Sequence, residues 1–234
     1  MAFKQFVLDE RTTVTIYKRR ASRGLRLSIT PKGEVRVSIP AWASYSSGLS
    51  FAKSRQAWIH SQQRPSNLLL PGQAIGKAHH LIFISNARAN TSVGRIKAGE
   101  ILITHPAALQ PLDPAVQSVA EAASIRALRA QAKQLLPQRL ADLATTHGFT
   151  YRSVSIKQLK SRWGSCDQQR NIVLNLFLMQ LPWESIDYVL LHELVHTEVL
   201  RHGPDFWQVM ERVLPGAKRI RKSMHQYQPV LRGS

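Results

Sequence analysis

The amino-acid sequence predicts an α+β fold in which a β-rich N-terminal region precedes a domain that combines helices with a small sheet. Three observations support this prediction. Apolar and polar residues alternate within 25–39, as they do in half-buried strands. An alanine-rich stretch at 115–146 has the length and composition of a long helix. Alternation then returns after residue 150, ahead of a second set of helix-forming residues.

The alternating N-terminal region predicts a β-hairpin. Apolar side chains occupy every second position at 25–29 and again at 35–39, and Pro31 and Gly33 between them favour a turn. Residues Leu49–Gln62 then carry the pattern of a helix.

Two shorter strands are predicted at His80–Ser85 and Ile96–Thr104. The proline-rich stretch at 106–114 that follows is typical of a linker. We therefore expect a β-rich domain at 1–110 and a second domain at 111–234.

The long alanine-rich helix should end at Gly148, because glycine readily adopts the left-handed conformation that ends helices. Pro137 lies inside it and should kink or divide it. Beyond this helix the sequence predicts two strands, at Tyr151–Leu159 and Asn171–Leu178. It also predicts two further helices, which begin at Pro182 and Pro204.

The helix that begins at Pro182 contains a His-Glu-x-x-His motif formed by His192, Glu193 and His196. Residues four apart lie on one face of a helix, so the two imidazoles can hold one zinc ion. Glu193 projects about 100° away and can act on a zinc-bound water as a general base. Apolar residues surround the motif, and buried histidines need partners, which a metal supplies.

A catalytic zinc site usually has three protein ligands, and His202 is the predicted third. Gly203 permits a left-handed turn there and Pro204 stops the helix, so the chain can fold His202 back towards the metal. Glu198 is a rival ligand on the wrong side of the helix, and Glu211 is a rival that can also support the site indirectly.

The composition excludes several classes of protein. One cysteine, Cys166, forbids an intrachain disulfide, and the first eleven residues lack the apolar run of a signal peptide. No stretch approaches the roughly 20 apolar residues of a membrane helix. These features predict a soluble, cytoplasmic protein.

The net charge of +18 predicts attraction to nucleic acid or another polyanion, although it is also compatible with a role in solubility alone.

Residues 160–222 resemble the YgjP-like zinc metallopeptidase family, and the β-rich first part resembles it more loosely. The matching segments are Lys160-Ser161-Arg162-Trp163-Gly164-Ser165-Cys166, Asn171-Ile172 with Asn175, Leu181-Pro182, Ile186-Asp187-Tyr188-Val189, His192-Glu193-Leu194-Val195-His196, His202, Phe206-Trp207 and Leu214-Pro215. The sequence departs from the family at Gly203-Pro204-Asp205, where members often carry a serine after the third histidine.

The resemblance implies a zincin-like fold, with a small sheet over the metal-binding helix, ligands at His192, His196 and His202, and Glu193 as the catalytic acid and base. The family is similar in layout to SprT-like proteases, some of which act on proteins attached to DNA. An edge strand of such a sheet can pair with a peptide substrate through backbone hydrogen bonds.

The segment from Ser161 to Cys166 allows a functional and a structural interpretation. Arg162 can stabilise an oxyanion or bind a carboxylate or phosphate, and Cys166 can neighbour the metal. In the structural interpretation, which we favour for all but Arg162, Trp163 packs, Gly164 permits a bend and the cysteine is a small buried apolar residue. Further candidates for binding the oxyanion are His225 and Tyr227.

The sequence thus predicts a zinc-dependent hydrolase, specifically a metallopeptidase that acts on a peptide or protein substrate. One alternative is a metal-dependent nucleotide phosphohydrolase, although such chemistry more often uses carboxylate-bound magnesium. Another is a nucleic-acid-binding protein with a structural zinc, although structural sites are usually rich in cysteine and this chain has only one.

Overall fold

The structure, a computed structural model, describes residues 3–9, 12–20, 22–30, 33–62, 68–231 and 233. Two residues of the predicted hairpin turn, Pro31 and Lys32, lie outside this set. The chain divides into two compact units, Met1–Asn67 and Leu68–Ser234.

The first unit contains a four-stranded sheet and two helices. Its elements are β1 (Phe3–Asp9), β2 (Thr12–Arg19), β3 (Arg26–Ile29), β4 (Val35–Pro40), α1 (Tyr45–Ser54) and α2 (Gln56–Gln62). The strand order is β1-β2-β4-β3; β2 and β4 run parallel, and the other neighbours run antiparallel. The predicted hairpin is confirmed as β3 and β4, whereas the single helix predicted at 49–62 is two helices that separate at Arg55.

The second unit begins with a separate four-stranded sheet. Its strands are β5 (Ala74–Ile75), β6 (His79–Asn86), β7 (Val93–Lys97) and β8 (Glu100–Pro106), in the order β5-β6-β8-β7. The strand predicted at 96–104 is therefore two strands. The chain reverses between them at Ala98 and Gly99, which both have positive φ angles.

The long helix α3 spans Pro114–His147, and Gly148 ends it with a φ of 75°, as predicted. Pro137 does not divide the helix, so that part of the prediction is wrong. Leu136 and Leu140 beside it are fully buried, and their packing outweighs the hydrogen bond that proline removes.

The first sheet of the second unit packs closely on α3. A Cβ atom placed on Gly94 of β7 would lie only 2.8 Å from Cβ of Ala123 on the helix. This packing joins residues 74–106 to the helix that follows them. The compact units consequently divide between Asn67 and Leu68, whereas the sequence suggested a domain boundary near residue 110.

The remaining elements build a small sheet beside the motif-bearing helix. They are β9 (Ser153–Lys157), β10 (Gly164–Cys166), β11 (Asn171–Asn175), a 3-10 helix (Leu176–Gln180), α4 (Trp183–Val195), α5 (Pro204–Val213) and α6 (Ala217–Met224). The order is β10-β11-β9, with β11 parallel to β9 and antiparallel to β10. The strand predicted at 171–178 thus ends at Asn175, and β10 is a strand that the sequence pattern did not reveal.

This arrangement confirms the α+β class. The core of the second unit runs from α3 to α4, where Leu190 and Leu194 are fully buried. None of the helices formed by the described residues combines the length and apolar character needed to cross a membrane.

Candidate metal centre

The end of α4 positions the two motif histidines. His192 lies in the last turn of the helix, and His196 is the residue that caps its C-terminus, with helical angles of −65° and −16°. The helical spacing therefore persists through His196 although the regular helix ends at Val195. Both rings consequently project from one face of the helix.

Three imidazole nitrogens meet at one point. The Nε2 atoms of His192 and His196 are 3.1 Å apart, and Nε2 of His202 lies 3.0 Å from each of them. An ion bound tetrahedrally at 2.0–2.1 Å would separate its ligand nitrogens by about 3.3 Å, close to these distances. Within the part of the chain that the structure describes, these three residues form the group of side chains that could hold a metal ion.

The protonation states of the histidines suit a metal ligand. Nδ1 of His196 lies 3.0 Å from the carbonyl oxygen of Val199, so it donates there when Nε2 carries the lone pair. Burial, followed by the neighbouring histidines, lowers the pKa of His192 to about 3 and keeps that ring neutral. Burial also lowers the pKa of His196.

Phe206 of α5 packs against all three histidine rings. Its ring centroid lies 4.9 Å from that of His192, 4.7 Å from that of His196 and 4.8 Å from that of His202. The side chain is fully buried, so it fixes the rings from the side of the core. The sequence marked Phe206 only as part of a segment that resembles the family, and it gave no sign of this contact.

The third histidine reaches the site from the loop between α4 and α5. His202 is exposed, whereas His196 is buried. The predicted left-handed turn at Gly203 is wrong, because this residue is extended, with φ −86° and ψ −171°. The reversal lies instead in the turn after His196 and at Pro204, which begins α5 as predicted.

The two rival ligands lie outside the group. Glu198 is exposed. Glu211 accepts hydrogen bonds from the backbone N–H groups of Gly216 and Lys218 at 2.8 and 3.1 Å, which lowers the pKa of its carboxyl. Its structural role is therefore to hold the start of α6.

Glu193 lies buried beside the histidines, with 5 % of its surface exposed. Its Oε2 atom is buried and has no hydrogen-bond partner among the described residues. Burial raises the pKa of this carboxyl to about 8, and the positive charge of Arg162 opposes that shift. A buried acceptor without a partner is costly unless a ligand or substrate satisfies it.

Gly164, the first residue of β10, lies against the Glu193 carboxyl. A Cβ atom at this position would lie 2.6 Å from Oε1 of Glu193, so a side chain here would displace the carboxyl. The sequence suggested that Gly164 permits a bend. The structure instead assigns it close contact with the glutamate.

Arg162 lies exposed on the loop that leads into β10. The fully buried Asn175 braces this loop: its Nδ2 donates to the carbonyl oxygens of Leu159 and Arg162 at 2.9 and 2.8 Å. Its backbone N–H donates to the carbonyl oxygen of Trp163 at 2.9 Å. Asn175 therefore holds the loop that carries Arg162 and leads to Gly164, a function that its place on a strand did not suggest.

The other candidates from the sequence occupy varied positions. Trp163 is partly buried against the core. Cys166 is partly buried, and burial, followed by the charge of Glu193, raises the pKa of its thiol to about 11, so it stays protonated. His225 is exposed at the end of α6, and Tyr227 packs partly buried against the core.

An open groove of about 630 Å³ adjoins the third histidine. Its lining residues are His202, Gly203, Pro204, Trp207, Gln208, Glu211 and Lys218. Trp207 forms one wall of the groove, and the guanidinium of Arg221 makes a cation–π contact with its ring, 4.9 Å from the ring centroid.

Comparison with known proteins gives one match that spans most of the chain. Residues 23–227 match the family model described as "YgjP-like, metallopeptidase domain". The chain is also similar to the crystal structure of the metallopeptidase zymogen of Pyrococcus abyssi abylysin, with 28% identity, 39% of this chain and 94% of that chain covered, and a TM-score of 0.36. No curated protein matches the sequence. The matched range of the family includes the three histidines and Glu193.

Proposed function

The chain belongs to the YgjP-like metallopeptidase family, and on this basis we propose a zinc-dependent peptidase with ligands His192, His196 and His202 and catalytic base Glu193. Membership in the family makes the chain a metallopeptidase in general terms. We propose in addition that the metal is zinc, that the three histidines bind it and that Glu193 is the base.

One observation carries the proposal: three imidazole nitrogens converge within 3.1 Å beside a buried carboxyl. Three neutral imidazoles suit zinc better than magnesium, which prefers oxygen ligands. The role of Glu193 as a base is supported by its position next to His192 in the chain and by its buried carboxyl, which lies outside the three-histidine group.

When bound, zinc supplies a Lewis-acid centre that activates water and polarises the substrate carbonyl, and its charge favours the ionised form of Glu193. Glu193 then accepts a proton from the attacking water on a carboxylate oxygen. It returns this proton to the leaving amine as the peptide bond breaks. The guanidinium of Arg162 provides positive charge for the oxygen on which negative charge develops.

The small sheet offers a way to hold an extended peptide. β10 is an edge strand, and its first residue, Gly164, touches the Glu193 carboxyl. A peptide that pairs with the free edge of β10 would therefore bring its backbone carbonyl groups close to the catalytic carboxyl. The groove beside His202 lies next to the same site and is available to a substrate side chain.

The decisive experiment compares the metal-loaded chain with its Glu193→Gln variant. We expect the variant to retain zinc, measured by elemental analysis, and to lose hydrolysis of casein by several powers of ten. Glu198→Gln makes the same chemical change at an exposed position five residues along and should leave activity intact. Full activity in Glu193→Gln would rule out the proposed base.

The same assay separates the peptidase from its alternatives when nucleoside triphosphates are included as substrates. Release of phosphate that depends on Glu193, with no cleavage of casein, would favour a nucleotide phosphohydrolase. Zinc binding with no turnover of either substrate would favour a structural metal. The lone cysteine also fits a reducing compartment, so a cytoplasmic location stays part of the proposal.

A further inference from the structure

The sheet of the first unit has one covered and one open face. Helix α1 packs on the face that carries Ile16 and Ile39, and a Cβ atom on Gly48 would lie 3.0 Å from a methyl group of Ile16. Successive residues of a strand point to opposite faces. Thr15 and Tyr17 of β2 therefore lie on the face that α1 leaves open.

An aromatic pair lies on this open face. The strand register aligns Phe3, Tyr17, Ser38 and Arg26 in one row across the four strands. The rings of Phe3 and Tyr17 have their centroids 5.6 Å apart and are tilted by 34°. Phe3 is 57 % exposed. Tyr17 is partly buried beside it. An exposed ring and a half-exposed ring side by side on an uncovered sheet face indicate a binding surface.

A second row of side chains surrounds the rings with hydrogen-bonding and charged groups. The register aligns Gln5, Thr15, Arg36 and Ser28. Cζ of Arg36 lies 5.9 Å from the centroid of the Tyr17 ring, so a guanidinium plane extends the aromatic pair. Arginine planes stack on bases as aromatic rings do.

The first unit carries a large positive charge, which favours a polyanion as its partner. Residues 1–67 contain 12 basic and 3 acidic residues, a net charge of +9. The two acidic side chains that the structure describes there are engaged, since Asp9 accepts a hydrogen bond from Gln56 and Glu34 pairs with Arg36 at 2.8 Å. Arg19 and Arg26 are exposed.

We propose that this aromatic sheet face, formed by Phe3, Tyr17, Arg26 and Arg36, binds single-stranded nucleic acid. Bases stack on the two rings and on the guanidinium plane of Arg36, and the exposed Arg26 binds the phosphates. A duplex hides the faces of its bases, and the acidic side chains of a peptide carry no ring, so neither uses the aromatic pair through the groups that its charge attracts. The proposal concerns the first unit alone and does not depend on the peptidase activity of the second.

The test measures binding of fluorescent probes to the full chain by anisotropy. The probes are oligothymidylate and oligouridylate of about 20 nucleotides and a DNA duplex of equal length, with unlabelled heparin as a competitor. We expect both single strands to bind more tightly than the duplex, and their comparison distinguishes DNA from RNA. Phe3→Ala and Tyr17→Ala should each weaken single-strand binding at least about fivefold. Tyr17→Phe should retain binding, because the ring remains.

Matched variants separate stacking from charge. Trp58→Ala removes an exposed ring from α2, whose Ile59 packs in the core on the covered side, and should leave affinity unchanged. Arg26→Ala should lower the salt dependence of binding by about 0.7 in log–log slope, whereas Lys53→Ala, on α1, should not. Circular dichroism checks that each variant is folded.

Two results would overturn the proposal. One is equal affinity for single strands and duplex, with no loss in folded Phe3→Ala or Tyr17→Ala, because binding would then follow charge alone. The other is an absence of binding to either single strand at low salt, where electrostatic attraction is strongest.

Discussion

The two sides of the candidate metal centre are held in different ways. His192, Glu193 and His196 come from the end of α4, a helix whose neighbouring leucines are fully buried. His202 and Arg162 come from loops and are exposed. The helical side is therefore preorganised by the core, whereas the loop side depends on a few local contacts. Changes on the helical side should have the larger effects.

The largest expected effect is the loss of metal on removal of a helical ligand. His192→Ala leaves one ligand on the helix and one on the loop, so we expect the metal content to fall to background together with peptidase activity. His202→Ala keeps the preorganised pair His192 and His196, and should retain zinc with lower affinity. Elemental analysis after dialysis at graded zinc concentrations measures the difference.

This comparison has a clear contrary outcome. If His202→Ala loses zinc as completely as His192→Ala, both sides are equally organised before the metal binds. The Glu198→Gln variant is a suitable reference, because it changes an exposed residue of the same segment and should bind zinc normally.

The next largest effect should come from a methyl group placed against the catalytic carboxyl. In Gly164→Ala the new Cβ would lie 2.6 Å from Oε1 of Glu193, so the carboxyl must move. We expect about a 100-fold loss in kcat with unchanged zinc content, because a displaced base fails in the reaction but not in metal binding.

Gly203→Ala is the matched control for this prediction. A Cβ on Gly203 meets nothing within 4 Å, and its φ of −86° suits any residue, so the variant should have nearly normal kcat. A loss of kcat in Gly203→Ala as large as that in Gly164→Ala would mean that close contact with Glu193 is not the cause.

The helical side was also the side that the sequence could predict. A four-residue spacing translates directly into a shared helix face, so His192 and His196 could be assigned as neighbours from local geometry. The sequence also predicted that His202 joins these two histidines, but it predicted the wrong backbone conformation for the loop. Gly203 is extended, and no left-handed turn is present there. Loop conformations depend on contacts that the local sequence does not encode.

Contacts between distant segments account for the rest of what the sequence could not predict. β10 is three residues long, too short for alternation to reveal it. The bracing of the Arg162 loop by Asn175 spans 13 residues and depends on the pairing of β10 with β11. Likewise, residues 74–106 join the second unit because they pack on α3, which a proline-rich stretch at 106–114 did not suggest.

A smaller effect on metal affinity is expected from Phe206, which supports both sides at once. Phe206→Ala removes a fully buried ring that contacts His192, His196 and His202. We expect a loss of about 3–5 kcal/mol in the free energy of unfolding and zinc affinity weakened by roughly 10- to 100-fold. Denaturant unfolding of the metal-free chain and zinc titration measure the two losses separately. Normal zinc affinity in a destabilised variant would restrict Phe206 to a role in packing.

The smallest effect should come from the loop side, at Arg162. This side chain is exposed, so solvent screens its charge, and Arg162→Ala should lower kcat/KM about tenfold while zinc content stays normal. Lys160→Ala removes the same charge from an exposed position two residues away and should have little effect. Arg162→Lys should recover part of the activity, because positive charge returns without the planar guanidinium. If Lys160→Ala and Arg162→Ala have equal effects, the loop acts through its total charge and Arg162 has no individual role.

The comparison between the two sides also has a contrary outcome here. If Arg162→Ala lowers activity as much as Gly164→Ala, the loop side is as well organised as the helical side. Preorganisation by α4 would then not explain why changes on the two sides differ in effect.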